Sequence, residues 1–153
     1  MAQRPLPPVT GHSRGITLLE ILIVLLVAAL VIGTATPAYL YLIDSKKAGL
    51  AAEEITGFAR QIDRFQRRNN RYPDTLEEAL DAAPVDPWGN PYRYLNLKQA
   101  GGAAGRSAGD LRPLNTDYDL YSEGPDTTSL SPIGAEQSRD DIIRARNGNY
   151  IGI

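Results

Sequence analysis

Arg14-Gly15-Ile16-Thr17-Leu18-Leu19-Glu20 opens a stretch that runs on to Pro37, apolar apart from Gly33, Thr34 and Thr36. Residues 21–43 are twenty-three positions without one charge. A helix rises about 1.5 Å per residue, and about 20 apolar residues cross a bilayer. Glu20 is the exception at the start of the run. A carboxylate inside a membrane helix costs roughly 2.5–3.5 kcal/mol on insertion scales, so it calls for a partner. No Lys or Arg lies within one helical turn on its C-terminal side, and Arg14 stands six residues before it. An ordinary single-span anchor with Glu20 reaching the headgroups would also produce this run. A secretory signal peptide would not, because its apolar core is about 7–15 residues long and its cut follows that core.

The chain has 153 residues, enough for one domain and a tail, and a formal charge of −2. It contains no Cys, which excludes a disulfide framework and thiolate metal sites. The one His is His12, inside the Pro-rich first fifteen residues. Without that segment the chain has neither His nor Cys, so Ser-His and Cys-His catalysis and imidazole-bound zinc are excluded. Residues 1–15 hold Arg4 and Arg14 and no acid; removing those two positive charges leaves −4. A mildly acidic chain is a poor partner for nucleic acid. Basic residues before an apolar span keep that end in the cytoplasm and send the C-terminal part across.

Pro5, Pro7, Pro8 and Gly11 predict a leader over 1–15 without stable helix. One helix is predicted from Ile16 to about Asn69, some 54 residues and roughly 80 Å. Its first half is apolar all round. Pro37 cannot donate to the carbonyl of Gly33, so residues 33–37 are where the helix should break, either unwinding or kinking mildly. The second half is amphipathic: Ile55, Phe58, Ile62 and Phe65 lie on one face, with Arg60, Asp63, Arg64, Arg67 and Arg68 largely off it. Arg64, Arg67, Arg68 and Arg71 read as a solvated face available to acids of neighbouring subunits. Tyr72-Pro73 stops the helix. Thr75-Leu76-Glu77-Glu78 is a capping-box pattern for a short helix to about Ala83. Alternation around Tyr92 and Tyr94, and around Tyr118 and Leu120, predicts two antiparallel strands, with a last strand near 149–153. Residues 96–116, rich in Gly and Ala, predict a flexible surface loop. Trp88 and the tyrosines read as core packing.

The residues at both ends carry a resemblance. Arg14-Gly15-Ile16-Thr17-Leu18-Leu19-Glu20 resembles the processing signal of type IV prepilins and type II secretion pseudopilins. Asp86-Pro87-Trp88-Gly89-Asn90-Pro91-Tyr92 and Tyr118-Asp119-Leu120-Tyr121-Ser122-Glu123-Gly124-Pro125-Asp126 are similar to the major pseudopilins of that family. The loop 96–116 is longer than that family usually has, and the segment after Asp126 lacks its acidic, glycine-rich run.

The resemblance implies an α+β pilin-like fold: a long N-terminal helix packed by its second half on a small antiparallel sheet. It divides the chain into a cleaved leader (1–15), a membrane or filament-core helix (16–43) and a periplasmic domain (44–153). It implies a cut between Gly15 and Ile16 by a prepilin peptidase, N-methylation of Ile16, and pairing of Glu20 with the terminal amine of a neighbouring subunit. The partners implied are further copies in a filament, minor pseudopilins and an inner-membrane secretion platform. Calcium is implied as well. Asp126 matches the aspartate of the family's Ser-x-Gly-x-Asp stretch, and Asp140, Asp141 and Ser122 are the other candidate ligands. Small domains without disulfides often need such a staple, although the three acids read equally well as solvated loop residues. The alternatives are a type IV pilin for adhesion, motility or DNA uptake, and a membrane-anchored periplasmic enzyme working on carboxylates. A type IV pilin's usual C-terminal disulfide is impossible here, and the chain has no Gly-rich phosphate loop.

Overall fold

The computed structural model describes residues 15–153; His12, Arg14 and the expected leader up to residue 14 lie outside the described residues. The described residues divide into two compact units, one up to Leu40 and one from Tyr41 to Ile153. One helix, α1 (Leu18–Asn69), contributes its first part to the former and the rest to the latter.

In the first unit α1 begins two residues later than the sequence predicts. The Thr17 carbonyl accepts from the amides of Glu20 (3.1 Å) and Ile21 (3.2 Å). Of the two outcomes expected at Gly33 and Pro37, unwinding does not occur: α1 runs through both residues. Pro37 removes one rung of the ladder, a loss of roughly 3 kcal/mol. Unwinding would create two new helix ends, each with four unpaired backbone groups, which is worse in an apolar stretch. The flanking hydroxyls turn inward: Thr34 Oγ1 donates to the Leu30 carbonyl (3.1 Å) and Thr36 Oγ1 to the Ile32 carbonyl (2.9 Å).

In the second unit the rest of α1 packs on an antiparallel sheet of order β1-β2-β3-β4: β1 (Arg93–Asn96), β2 (Tyr118–Ser122), β3 (Ile142–Ala145) and β4 (Tyr150–Gly152). Arg93 pairs with Tyr121, Ser122 with Ile142, and Ala145 with Tyr150. The stripe works as expected. Ile55 and Ile62 are fully buried, and with Ala51 they meet Leu76, Tyr92, Tyr118, Leu120 and Ile142. Phe58 packs at the margin of this core and Phe65 is also buried. Strand residues alternate faces, so Ile143 and Ala145 of β3 turn away from this core and bury with Leu114 against Ala108, Tyr121 and Ile133.

That second cluster overturns the flexible-loop expectation for 96–116. The segment forms a short helix α3 (Leu97–Ala100) and a 3-10 turn (Gly102–Ala104), and it buries Leu97, Arg106, Ser107, Leu114 and Asn115. Gly105 is closely packed there: a Cβ would stand 3.0 Å from both Leu97 Cδ2 and Pro113 Cβ, so those side chains would have to give by a few tenths of an ångström. The helix α2 (Leu76–Leu80) is shorter than expected, ending where Asp81 turns left-handed. Thr75 sits at its N-cap position but makes no side-chain cap bond. Glu78 instead accepts from the Asp74 amide (2.7 Å) and pairs with Arg71. Arg71 therefore spends its charge within the chain, while Arg64, Arg67 and Arg68 stay exposed.

Tyr118 lies at the centre of the core, fully buried, with the Tyr72 and Tyr94 rings 5.4 and 5.6 Å away. Its hydroxyl has no hydrogen-bond partner. An orphaned buried hydroxyl costs about 1–3 kcal/mol, so Tyr118→Phe is expected to leave the melting midpoint unchanged or raised. A fall in the midpoint would reveal a bridging water as its partner.

Candidate functional site

The first candidate is the start of α1. Gly15 has open space around its Cα: nothing lies within 4 Å of a Cβ placed there. Ile16 is exposed, as are the large apolar side chains that follow along the first unit. Thr17 sits where a helix N-cap belongs, and its Oγ1 accepts from the Glu20 amide at 3.2 Å. A hydroxyl that takes up an otherwise unpaired N–H here is worth about 1 kcal/mol. Glu20 lies in the first turn, where the helix dipole favours a negative charge. Sequence reasoning missed this role of Thr17, although Thr17-Leu18-Leu19-Glu20 has the Thr-x-x-Glu spacing of a capping box. The geometry thus gives Glu20 a local reason to be where it is, and leaves its carboxylate without a cationic partner among the described residues.

α1 is long and apolar enough to cross a membrane, and its most apolar stretch buries nothing within the chain. Full exposure of that many Ile, Leu and Val side chains to water would be far outside what folded monomers show. A bilayer or the helices of other subunits can cover them.

The second candidate is where the two C-terminal motifs meet. Asp86 is buried, and its Oδ1 accepts from the amides of Trp88 (3.0 Å) and Asn90 (2.9 Å). Its Oδ2 accepts from the Ser122 hydroxyl, and Ser122 Oγ in turn accepts from the Gly124 amide (3.1 Å). Asn90 Nδ2 donates to the Gly124 carbonyl at 3.1 Å. The Asp86–Tyr92 turn and the Tyr118–Asp126 segment are therefore knotted by Asp86 and Asn90, whose roles sequence reasoning did not single out, and by Ser122, which it read as a candidate calcium ligand. Gly124 has φ +65°, and a Cβ there would lie 2.6 Å from the Asp140 carbonyl oxygen. Trp88 packs against the core and donates through Nε1 to Asp44 (3.3 Å).

The four residues proposed as calcium ligands do not form a cage. Calcium takes six to eight oxygens turned toward one point. Asp126 and Asp140 are neighbours, but Asp126 folds its own carboxylate onto Thr128, accepting from its amide and hydroxyl at 2.9 Å each. Asp140 Oδ2 faces the Asp126 amide at 3.4 Å. Ser122 is bound to Asp86, as above. Asp141, expected in a loop, is buried and ion-paired with Arg106. Burial pushes its carboxyl up, and Ser129 and Arg106 pull it back. Among the described residues no three His, Cys, Asp or Glu side chains gather as a metal set.

A helix whose apolar first part buries nothing within the chain and whose second part packs on the antiparallel sheet of a small α+β domain defines the pilin-like class. Comparison with known proteins narrows this. The chain is 30% identical over 135 residues to the type II secretion system core protein G of Klebsiella pneumoniae, covering 86% of this chain and 93% of that protein. It is 31% identical to the core protein G of Pectobacterium carotovorum subsp. carotovorum, covering 86% and 83%. The Pseudomonas aeruginosa core protein G is 29% identical over 137 residues, covering 75% and 85%. The chain belongs to the family of the type II secretion system core protein G. No family model matches it, and no solved structure matches it significantly.

Proposed function

We propose that the chain is a structural subunit of a type II secretion pseudopilus. It is held in the inner membrane by α1 with its C-terminal domain in the periplasm, and it assembles into a filament after a prepilin peptidase cuts between Gly15 and Ile16. The observation that carries this reading is the unburied apolar part of α1 with one carboxylate, Glu20, in its first turn. That combination supports side-by-side packing of identical helices, in which the Ile16 ammonium of one subunit neutralises Glu20 of the next. The names of the relatives support the secretion setting. The role is mechanical rather than catalytic, and the partners are further copies, minor pseudopilins and the inner-membrane platform.

Processing is the direct test. Intact-mass measurement on membrane-extracted protein should give a chain that begins at N-methyl-Ile16. Gly15→Val should block the cut while leaving the folded chain unchanged, because open space surrounds Gly15. A wild-type chain that still carries Met1 or Ala2 beside an active peptidase refutes the reading.

A further inference from the structure

We infer that Arg106 is a built-in cation that takes the place of a bound calcium ion, so that the C-terminal domain of this chain is stapled without metal. The family resemblance implies calcium at the acids after Ser122; the side chains here are committed elsewhere, and the cation that meets Asp141 is a guanidinium.

Arg106 is firmly held. It comes from the long 96–116 segment, and its side chain is 5% exposed. The backbone is pinned on both sides: the Arg106 amide donates to Asp119 Oδ2 at 2.7 Å, and its carbonyl accepts from the Leu114 amide at 2.7 Å. The guanidinium then reaches Asp141, whose side chain is 1% exposed, and donates to Oδ2 through Nη2. Nη1 donates to Ser129 Oγ at 2.6 Å, and Ser129 donates to the same Asp141 oxygen at 2.6 Å. The Tyr121 ring lies under the guanidinium at 4.1 Å, close enough for cation–π attraction.

Three pieces of chain therefore converge on one positive charge: the long segment, the 129–139 stretch through Ser129, and the lead into β3 through Asp141. Joining separated loops through carboxylates is what a structural calcium does. Arginine does it with a charge that cannot be lost and a fork that fits a carboxylate. A divalent ion brought to Asp141 would meet this guanidinium at contact distance, and like charges in a buried site repel strongly. The other Asp141 oxygen, Oδ1, is enclosed without a partner, and the remaining candidate ligands face their own neighbours.

Thermal melts of the full chain in detergent test this, in calcium, in excess chelator and in magnesium. The wild-type midpoint should be the same in all three; a rise with calcium or a fall with chelator overturns the inference. Arg106→Met should lower the midpoint by roughly 10 °C or more, because a carboxylate is left buried alone. An unmoved midpoint also overturns it. If Arg106→Met does not fold, the double variant Arg106→Met with Asp141→Leu decides. Removing both charges should restore a cooperative melt well above the single variant, whereas a double variant that also fails to fold, or melts no higher, shows that charge neutralisation is not what Arg106 supplies. Metal binding and filament assembly are read separately, so failure here leaves the pseudopilus reading standing.

Discussion

Arg144→Met is expected to lower the stability of the Tyr41–Ile153 unit by about 3–5 kcal/mol, the usual effect of stripping one partner from a buried ion pair. Arg144 lies on β3 with its side chain 4% exposed. It grips Asp117 with both arms, Nη1 to Oδ1 at 2.9 Å and Nη2 to Oδ2 at 2.7 Å. Nη1 also donates to the Tyr118 carbonyl at 3.1 Å, and the guanidinium lies 3.9 Å from the Tyr118 ring centre. Methionine fills much of the volume and meets none of these acceptors. The contrast within the molecule is Arg93–Glu123, where the arginine side chain is 51% exposed; solvated pairs of that kind are worth about 0.2–1 kcal/mol. Denaturant titration in detergent, read by the fluorescence of the single tryptophan, Trp88, gives the number directly. Adding Asp117→Asn should recover part of the loss, since Asp117 is itself 13% exposed and less trapped. A loss below about 1 kcal/mol for Arg144→Met would place this pair with the surface pairs.

What the sequence made legible follows from which signals survive burial. The charge-free run and the 55–58–62–65 stripe are periodic features of one helix, and both stand in the structure as α1. The alternation at β1 and β2 was readable because each strand has one face toward α1. β3 was not readable. Ile142 and Ile143 are buried on opposite faces, and a strand covered on both sides loses the period of two that would reveal it.

The 96–116 segment misled for a different reason. Its glycines and alanines carry the composition of a mobile loop, yet a Cβ at Gly105 would crowd Leu97 and Pro113. Arg106 in that company looks solvated; only the fold brings Asp141, 35 residues on, to meet it. The pairing of distant polar side chains is a property of topology, and no local pattern in the chain announces it. Unwinding at Gly33–Pro37 does not follow from the local rule about proline, because opening a helix in an apolar stretch costs more than the lost rung. Gly15, Ile16 and Glu20 remain the part of the candidate site that the sequence alone points to most directly, since their spacing along one strand of text is the signal itself.

Glu20→Ala is expected to abolish filament assembly, on the proposed reading, while leaving folding and membrane insertion intact. The separation of these effects rests on magnitudes. Within its own helix Glu20 contributes a favourable charge in the first turn, about 0.3–1 kcal/mol, and the Thr17 cap on its amide is made through the backbone and survives the substitution. A helix of 52 residues does not depend on that contribution. For insertion the sign is reversed: deleting a carboxylate removes a penalty of roughly 2.5–3.5 kcal/mol, so the variant should enter the membrane at least as well. Assembly is different, because the partner charge is then left behind. An Ile16 ammonium brought into a core of apolar helices with no carboxylate opposite it is an unpaired buried charge, which costs about 3–5 kcal/mol for each subunit added. At 1.4 kcal/mol per factor of ten, the equilibrium for adding one subunit falls by a factor of roughly a hundred to several thousand. Glu20→Gln should also fail, since an amide keeps the shape and loses the charge. Electron microscopy of filaments from producing cells, alongside membrane fractionation of the same cells, reads both arms. Glu20→Ala filaments at wild-type abundance would reduce Glu20 to a helix-end charge and remove it from the subunit interface.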